Sequence, residues 1–262
     1  MNILVTGASS GIGRAICETL VREGHQVIGT ARAPERHTTD FQLLPLELTK
    51  WETIEALVKK IEKTGFEPDV LINNAGMGGV GAAEETPVDL ARKQLEVNFW
   101  GGVFLTQKLL PRMRQKKFGK IIFISSLAGL VGVPFHGFYA ASKHALEGYC
   151  KSLKLELSAL GISVSVVQPG YVKTNIVNAF EHSDTTIKEY NKNRSQFISV
   201  FFENLNRAPG PQKVSKVVAK IIKSKSPKFH YKVGREVKLL NTLQFLSYPI
   251  FERGMLRNFK MD

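Results

Sequence analysis

The chain has 262 residues, of which 43% are hydrophobic and 23% charged, a balance that suits a globular protein with a sizeable core and excludes disordered and fibrous classes. Its net charge of +13 is unevenly placed: from Pro211 to Asp262, twelve Lys or Arg stand against three Asp or Glu. A cationic surface attracts nucleic acid, anionic lipid or acidic ligands, and it is also a common route to solubility. Met1 leads directly into the apolar run Ile3-Leu4-Val5 with no charged leader or cleavage site, so no signal peptide is expected.

Asn2–Thr6 reads as a strand and Arg14–Glu23 as a helix; strands Gln26–Ala31 and Gln42–Glu47, helix Trp51–Lys63 and strand Val70–Asn73 follow. Further along come strand Lys120–Ser125, helix Tyr139–Leu160 and strand Ser163–Gln168. These strands are short and rich in Ile, Leu and Val without strict alternation, the mark of strands buried on both faces of a parallel sheet. The prediction is a single α/β domain over 1–262, a Rossmann-type doubly wound parallel sheet with helices on both faces and ligands beyond the carboxyl ends of the strands. The stretch from Ile121 to Phe135 is interrupted by Ser125, Ser126 and three glycines or prolines, so no transmembrane helix is expected. Cys17 and Cys150, each within a helical pattern, suit reduced buried thiols of a cytoplasmic protein. After Pro169-Gly170 the pattern loosens into a polar stretch, Glu181 to Gln196, before a helical pattern at Gln212–Lys223 and a short run Phe229–Val233. Residues 175–210 are expected to form a substrate flap, a surface insertion without a role being the alternative.

Between the first strand and helix stands Thr6-Gly7-Ala8-Ser9-Ser10-Gly11-Ile12-Gly13. Gly7 permits a tight turn, Gly11 lets backbone approach a pyrophosphate, and Gly13 lets the helix pack closely on the strand. The N–H groups and dipole of the helix N-terminus then bind phosphate. A glycine loop alone could be no more than a tight turn; strand before and helix after point to a dinucleotide. Its spacing resembles that of the short-chain dehydrogenase/reductase family. At the end of the second strand, where an acidic residue would select NAD, the chain has Gly29-Thr30-Ala31-Arg32. Arg32 can pair with a 2′-phosphate, so NADP(H) is the expected cofactor, with NAD(H) kept open by nearby Glu35 and Asp40. The basic residue that the family often carries before the second glycine is Ser10 here.

The sharpest signal is Tyr139-Ala140-Ala141-Ser142-Lys143, since a four-residue interval puts phenol and ammonium on one helix face. The Lys143 charge would lower the Tyr139 pKa and allow the phenol to exchange a proton with a carbonyl or alcohol. Ser126, thirteen residues earlier at a strand end, could hydrogen-bond the same oxygen; Ser125 would point the opposite way. The resemblance covers Met1 to Thr174 and matches Ser126, Tyr139 and Lys143 to the family's catalytic residues. It further implies that Asn98 holds a water in a proton relay ending at Lys143. By the same resemblance Asn74, Ala75 and Gly76 line the adenosine side, Glu47-Leu48 lie near adenine, and Pro169, Gly170, Val172 and Thr174 form the nicotinamide side. Ser9, Ser10 and Ile12 belong to the phosphate loop.

The six histidines lack metal-binding spacing, so no metal is expected. His136, close before Tyr139, could touch substrate, but an exposed loop residue is the ordinary reading. No nucleophile elbow is present and no base-reading module accompanies the basic excess, so neither a hydrolase nor a nucleic-acid partner is expected. Apolar residues beyond one stripe on the Tyr139 helix, Ala145, Cys150 and Leu155, suggest a homodimer or homotetramer, a wide buried face being the alternative. Residues 235–262 form a basic apolar C-terminal extension that could lie on a membrane surface or cover the pocket. Tail and motifs together are similar to 17β-hydroxysteroid and retinol dehydrogenase-like members, which implies a hydrophobic ketone, aldehyde or alcohol substrate. The alternatives are an acyl-carrier 3-oxoacyl reductase, or an NADP(H)-binding sensor without turnover.

Overall fold

A computed structural model describes residues 1–174, 180–182 and 186–261. In chain order it has β1 (Asn2–Val5), α1 (Gly11–Arg22), β2 (Gln26–Ala31), β3 (Gln42–Pro45), α2 (Trp51–Lys63), β4 (Val70–Asn73), β5 (Gly78–Val80), α3 (Val88–Leu95), α4 (Gly101–Lys116) and β6 (Gly119–Ile124). The remainder is α5 (Gly137–Glu156), β7 (Ile162–Pro169), β8 (Phe180–His182), α6 (Asn191–Arg207), α7 (Gln212–Lys223), β9 (His230–Val233), α8 (Arg235–Leu246) and α9 (Tyr248–Asn258). Seven strands form one sheet in the order β3-β2-β1-β4-β6-β7-β9, with parallel pairing throughout.

Alternate residues of each strand feed opposite faces. Leu4, Leu71, Ile121 and Phe123 pack with Leu57 of α2, Leu109 of α4 and Leu146 of α5. Ile3, Val5, Ile72 and Ile122 pack with Ile16 of α1 and Val218 of α7 on the other side. This two-sided burial is why the strands lack polar alternation. It confirms the Rossmann-type doubly wound sheet. The strand order reverses between β1 and β4, so the crevice for a ligand opens where the glycine loop after β1 meets the turn after β4.

A third core lies apart from the sheet: Phe197 and Phe201 of α6 with Phe251 and Met255 of α9, Phe259 beyond it, and Val131. Here the sequence reading was wrong in part. The stretch to Gln196, read as irregular, already contains the start of α6, because the first turns of that helix are polar and only Phe197, Val200, Phe201 and Leu205 are buried. Of the expected flap, 175–179 and 183–185 lie outside the described residues. Within it, β8 pairs with β5, and Lys93 of α3 binds Glu181 at 2.6 Å. β3 also ends earlier than expected, at Pro45. Among the described residues no helix is long and apolar enough to cross a membrane.

Candidate active site

The glycine loop is held by the ends of β1 and β4. Thr6 Oγ1 accepts the N–H groups of Asn74 and Ala75, both at 3.0 Å, while Asn74 Nδ2 donates to the carbonyls of Thr6 (2.9 Å) and Gly7 (3.1 Å). Gly7 and Gly11 have φ of +66° and +56°, the left-handed region that glycine enters at least cost. At Gly13 the demand is space: a Cβ there would sit 2.2 Å from the Gly7 carbonyl oxygen. Ser10 stands at the N-cap of α1 without a side-chain cap bond, and no acidic residue occupies the first turn. A concave backbone facing a helix N-terminus fits a pyrophosphate.

The other expected cofactor residues fall along the same carboxyl edge. Ile12, Pro169, Gly170, Val172 and Thr174 line one cavity, and a Cβ on Gly11 would be 3.3 Å from Thr174 Cβ, so the segment after β7 reaches the phosphate loop. Arg32 is exposed just past β2. Glu47 is engaged locally, its Oε1 accepting from the N–H of Thr49 at 3.3 Å and its hydroxyl at 3.2 Å. Leu48 is buried against Gly101, where a Cβ would be 2.6 Å from its own, so its side chain belongs to the core.

Asn98 sits in a π-helical turn, Glu96–Trp100, between α3 and α4, an irregularity common at functional sites. Its Oδ1 accepts the Met77 N–H (2.8 Å), and its Nδ2 donates to the Met77 carbonyl and to Ser142 Oγ, both at 3.0 Å. The side chain therefore ties the turn after β4 to α5. A Cβ on Gly76 would lie 3.1 Å from Asn98 Oδ1 and 3.7 Å from Lys143 Nζ, which places those two groups around one point.

Ser126 lies just beyond β6 with extended backbone; its hydroxyl accepts the Ala128 N–H at 3.2 Å, and it lines the same cavity as Tyr139. Ser125 Oγ is buried without a partner among the described residues, close to Gly129. Lys143, one turn after Tyr139 on α5, donates from Nζ to the Ile124 carbonyl at 3.0 Å and lies 5.8 Å from the Tyr139 ring centre. Burial raises the Tyr139 pKa, with the Ser126 hydrogen bond opposing. Lys143 is itself brought down to about 8 by burial, partly offset by Glu147 and Cys150. The protein's own groups thus leave the phenol above its ordinary range, contrary to the lowering expected from Lys143, because desolvation outweighs the one opposing contribution, from the Ser126 hydroxyl.

Ser126 and Tyr139 face a cavity of about 140 Å³ whose far wall is Val133, Phe180, Phe201 and Leu205. His136 also lines it; expected in an exposed loop, it is only 4% exposed. The sequence reading missed this wall. Its one signal was Phe197 and Phe201 at helical spacing, hidden behind a polar first turn. A larger cavity of about 520 Å³, lined by Lys213, Lys232, Arg235 and Lys238, lies between α7 and α8 and contains neither Ser126 nor Tyr139.

A doubly wound sheet with a glycine loop at its reversal point and a Ser–Tyr–Lys cluster beside it has the architecture of a dinucleotide-binding oxidoreductase. The chain belongs to the short-chain dehydrogenase family, whose model matches residues 1–185, and it is an oxidoreductase acting on CH–OH or carbonyl groups. It is 37% identical over 240 residues to a 3-ketodihydrosphingosine reductase of Bacteroides thetaiotaomicron, covering 91% of this chain and 89% of that protein. An NADPH-dependent 3-dehydrocapnine reductase of Ornithobacterium rhinotracheale is 38% identical over 186 residues, 66% of each chain. Among solved structures, a short-chain dehydrogenase from Streptomyces avermitilis matches with a TM-score of 0.84 and 30% identity, covering 99% of this chain and 96% of the other.

Proposed function

We propose that the protein interconverts a hydrophobic ketone or aldehyde and the corresponding alcohol with NADP(H), using Tyr139 as general acid and base. The observation that carries this reading is that Ser126 and Tyr139 line the same cavity as a set of aromatic and aliphatic side chains, with Lys143 Nζ 5.8 Å from the Tyr139 ring centre. In reduction the Tyr139 phenol donates its proton to the carbonyl oxygen, and Ser126 Oγ hydrogen-bonds that oxygen as charge develops on it. Lys143 beside the ring stabilises the resulting phenolate. Asn98 fixes the turn that carries Met77 against α5 and so keeps Lys143 in register. The nicotinamide dinucleotide supplies or accepts the hydride when bound; Gly7, Ser9, Ser10, Gly11, Ile12 and Gly13 would hold its phosphates. Asn74, Ala75 and Gly76, with backbone at Glu47 and Leu48, would hold the adenosine side, and Pro169, Gly170, Val172 and Thr174 the nicotinamide side.

Exposed Arg32 at the end of β2 favours NADP(H) over NAD(H), in keeping with the NADPH dependence named for the Ornithobacterium relative. Apolar Leu239, Phe245, Leu246 and Ile250 are all exposed on α8 and α9, beside Lys238, Arg253 and Arg257. That face suits peripheral contact with an anionic membrane surface, while its reverse covers the third core. Leu155, exposed on α5, and half-exposed Trp100 nearby in sequence to α4 favour a homo-oligomer.

The deciding experiment titrates the protein with NADPH and NADH by nicotinamide fluorescence, then offers long-chain ketones and acyl thioesters. Tight NADPH binding with ketone-dependent oxidation is expected. Turnover confined to acyl thioesters would replace the substrate class with an acyl-carrier 3-oxoacyl reductase, and binding without turnover on any acceptor would indicate a sensor.

A further inference from the structure

The reaction drawn above leaves a whole cavity without a task. The space of about 520 Å³ between α7 and α8 lies beyond the carboxyl ends of β7 and β9, and it is of the size that holds a small metabolite. Four cations line it: Lys213 in the first turn of α7, Lys232 near the end of β9, and Arg235 and Lys238 in the first turn of α8. The one carboxylate among the lining residues is Glu236, folded so close against the turn that neither Gly170 nor Gly234 could carry a side chain beside it. None of the four cations makes an ion pair among the described residues, although Lys93, Lys108, Lys116 and Lys223 each find a carboxylate elsewhere.

In the protein alone this placement is unfavourable. Four like charges around one cavity repel one another, and the N-termini of α7 and α8, each a positive dipole end without a side-chain cap, add to the same field. Cations ordinarily stand at the other end of a helix, as Lys220 and Lys223 do on α7. Lys213, Arg235 and Lys238 are exposed, so water screens the repulsion; an anion in the cavity would turn it into attraction. A carboxylate brings one charge and a phosphate monoester about two, so four cations against one carboxylate match the phosphate better. The phosphates of a dinucleotide are provided for elsewhere. The glycine loop follows β1, and Arg32 follows β2, which β1, β4, β6 and β7 separate from β9.

We propose that this cavity is a second ligand site, which binds a small molecule through a phosphate or diphosphate group held by Lys213, Lys232, Arg235 and Lys238. Tyr171 and Val172 line this cavity and the catalytic one alike, so the bound group would rest against a segment that also walls the reaction site. The second site uses none of Ser126, Tyr139 and Lys143 and stands independently of the carbonyl reading.

The test titrates inorganic pyrophosphate by calorimetry into protein saturated with NADPH, in about 0.15 M salt, while NADPH fluorescence is followed in parallel. One site with a Kd of about 1 mM or tighter is expected, with no release of NADPH. Arg235→Gln combined with Lys238→Gln should weaken it about tenfold or more. Lys216→Gln combined with Lys220→Gln removes the same charge from exposed positions of α7 outside the cavity and should change Kd by less than about threefold. No saturable binding, release of NADPH as pyrophosphate binds, or equal weakening in the two double variants would overturn the proposal. A second arm finds the source of the phosphate, by sedimentation with phosphatidylcholine vesicles that contain phosphatidic acid. Vesicle binding that pyrophosphate blocks assigns the group to a lipid headgroup. Vesicle binding that pyrophosphate leaves unchanged, or none at all beside tight pyrophosphate binding, assigns it to a soluble metabolite.

Discussion

The two sides of the crevice are built by different means. On the cofactor side, from β1 to the turn after β4, contacts are made by backbone and short polar groups: Thr6 and Asn74 clamp the loop, and Gly13 is needed because its Cβ would meet a carbonyl oxygen at 2.2 Å. On the substrate side, the wall is a cluster of large side chains from distant segments, Val133, Phe180, Phe201 and Leu205, over a third core anchored by Phe197 and Phe259. A site for a fixed ligand can be made of backbone, which tolerates little change. A site for a variable ligand is made of side chains, which can be exchanged within a packed core.

The sharpest way to separate the sides is Tyr139→Phe. We expect kcat for ketone reduction to fall on the order of 10³-fold with NADPH affinity within threefold of wild type; loss of NADPH binding as well would show that the two sides are not independent. Next, Phe197→Ala should cost about 3–5 kcal/mol by urea unfolding, since the side chain is fully buried. Its effect on turnover should appear in KM for the ketone and not in the cofactor Kd; a weakened Kd would mean that the third core also supports the phosphate loop.

Lys143 stands between the two sides, and its test is pH. A lysine brought from 10.5 to about 8 in the folded chain is deprotonated there while the unfolded chain still holds its proton. Stability therefore rises with pH between those values, by on the order of 2–3 kcal/mol, and Lys143→Met should lose that rise. Tyr139, raised by burial, works the other way only above its ordinary pKa of 10. Urea midpoints at pH 8 and pH 9.5 for both proteins check this; equal slopes would show that Lys143 is not desolvated as its position implies.

Smaller effects belong to the cofactor side. Gly13→Ala should destabilise by about 1–3 kcal/mol and weaken dinucleotide binding, because the clash is with backbone that cannot turn aside. Arg32→Glu should weaken NADPH by about tenfold and leave NADH unharmed or improved, as measured by fluorescence titration. Equal loss of both cofactors would remove Arg32 from the specificity reading and leave the backbone cradle alone to account for binding.

What the sequence determined by itself was everything whose physics is local. Gly7, Gly11 and Gly13 declare a tight loop within seven residues, Tyr139 and Lys143 share a face because a helix repeats every 3.6 residues, and the apolar runs of β1, β4 and β6 declare strands buried on both sides. Those features gave the fold and put Tyr139 and Lys143 on one face, while the family resemblance joined Ser126 to them. Only the tertiary structure decided the aromatic wall, the engagement of Asn98 with Met77 and Ser142, the burial of Leu48 and the inward turn of His136. Each of these depends on which distant segment packs where: α6 reads as a polar stretch until Phe197 and Phe201 meet α9, and His136 reads as a loop residue until Phe180 and Phe201 close over it. Desolvation is likewise set by the packing of the whole chain, which is why the net shift of Tyr139 ran against the sign that its helical neighbour alone implied.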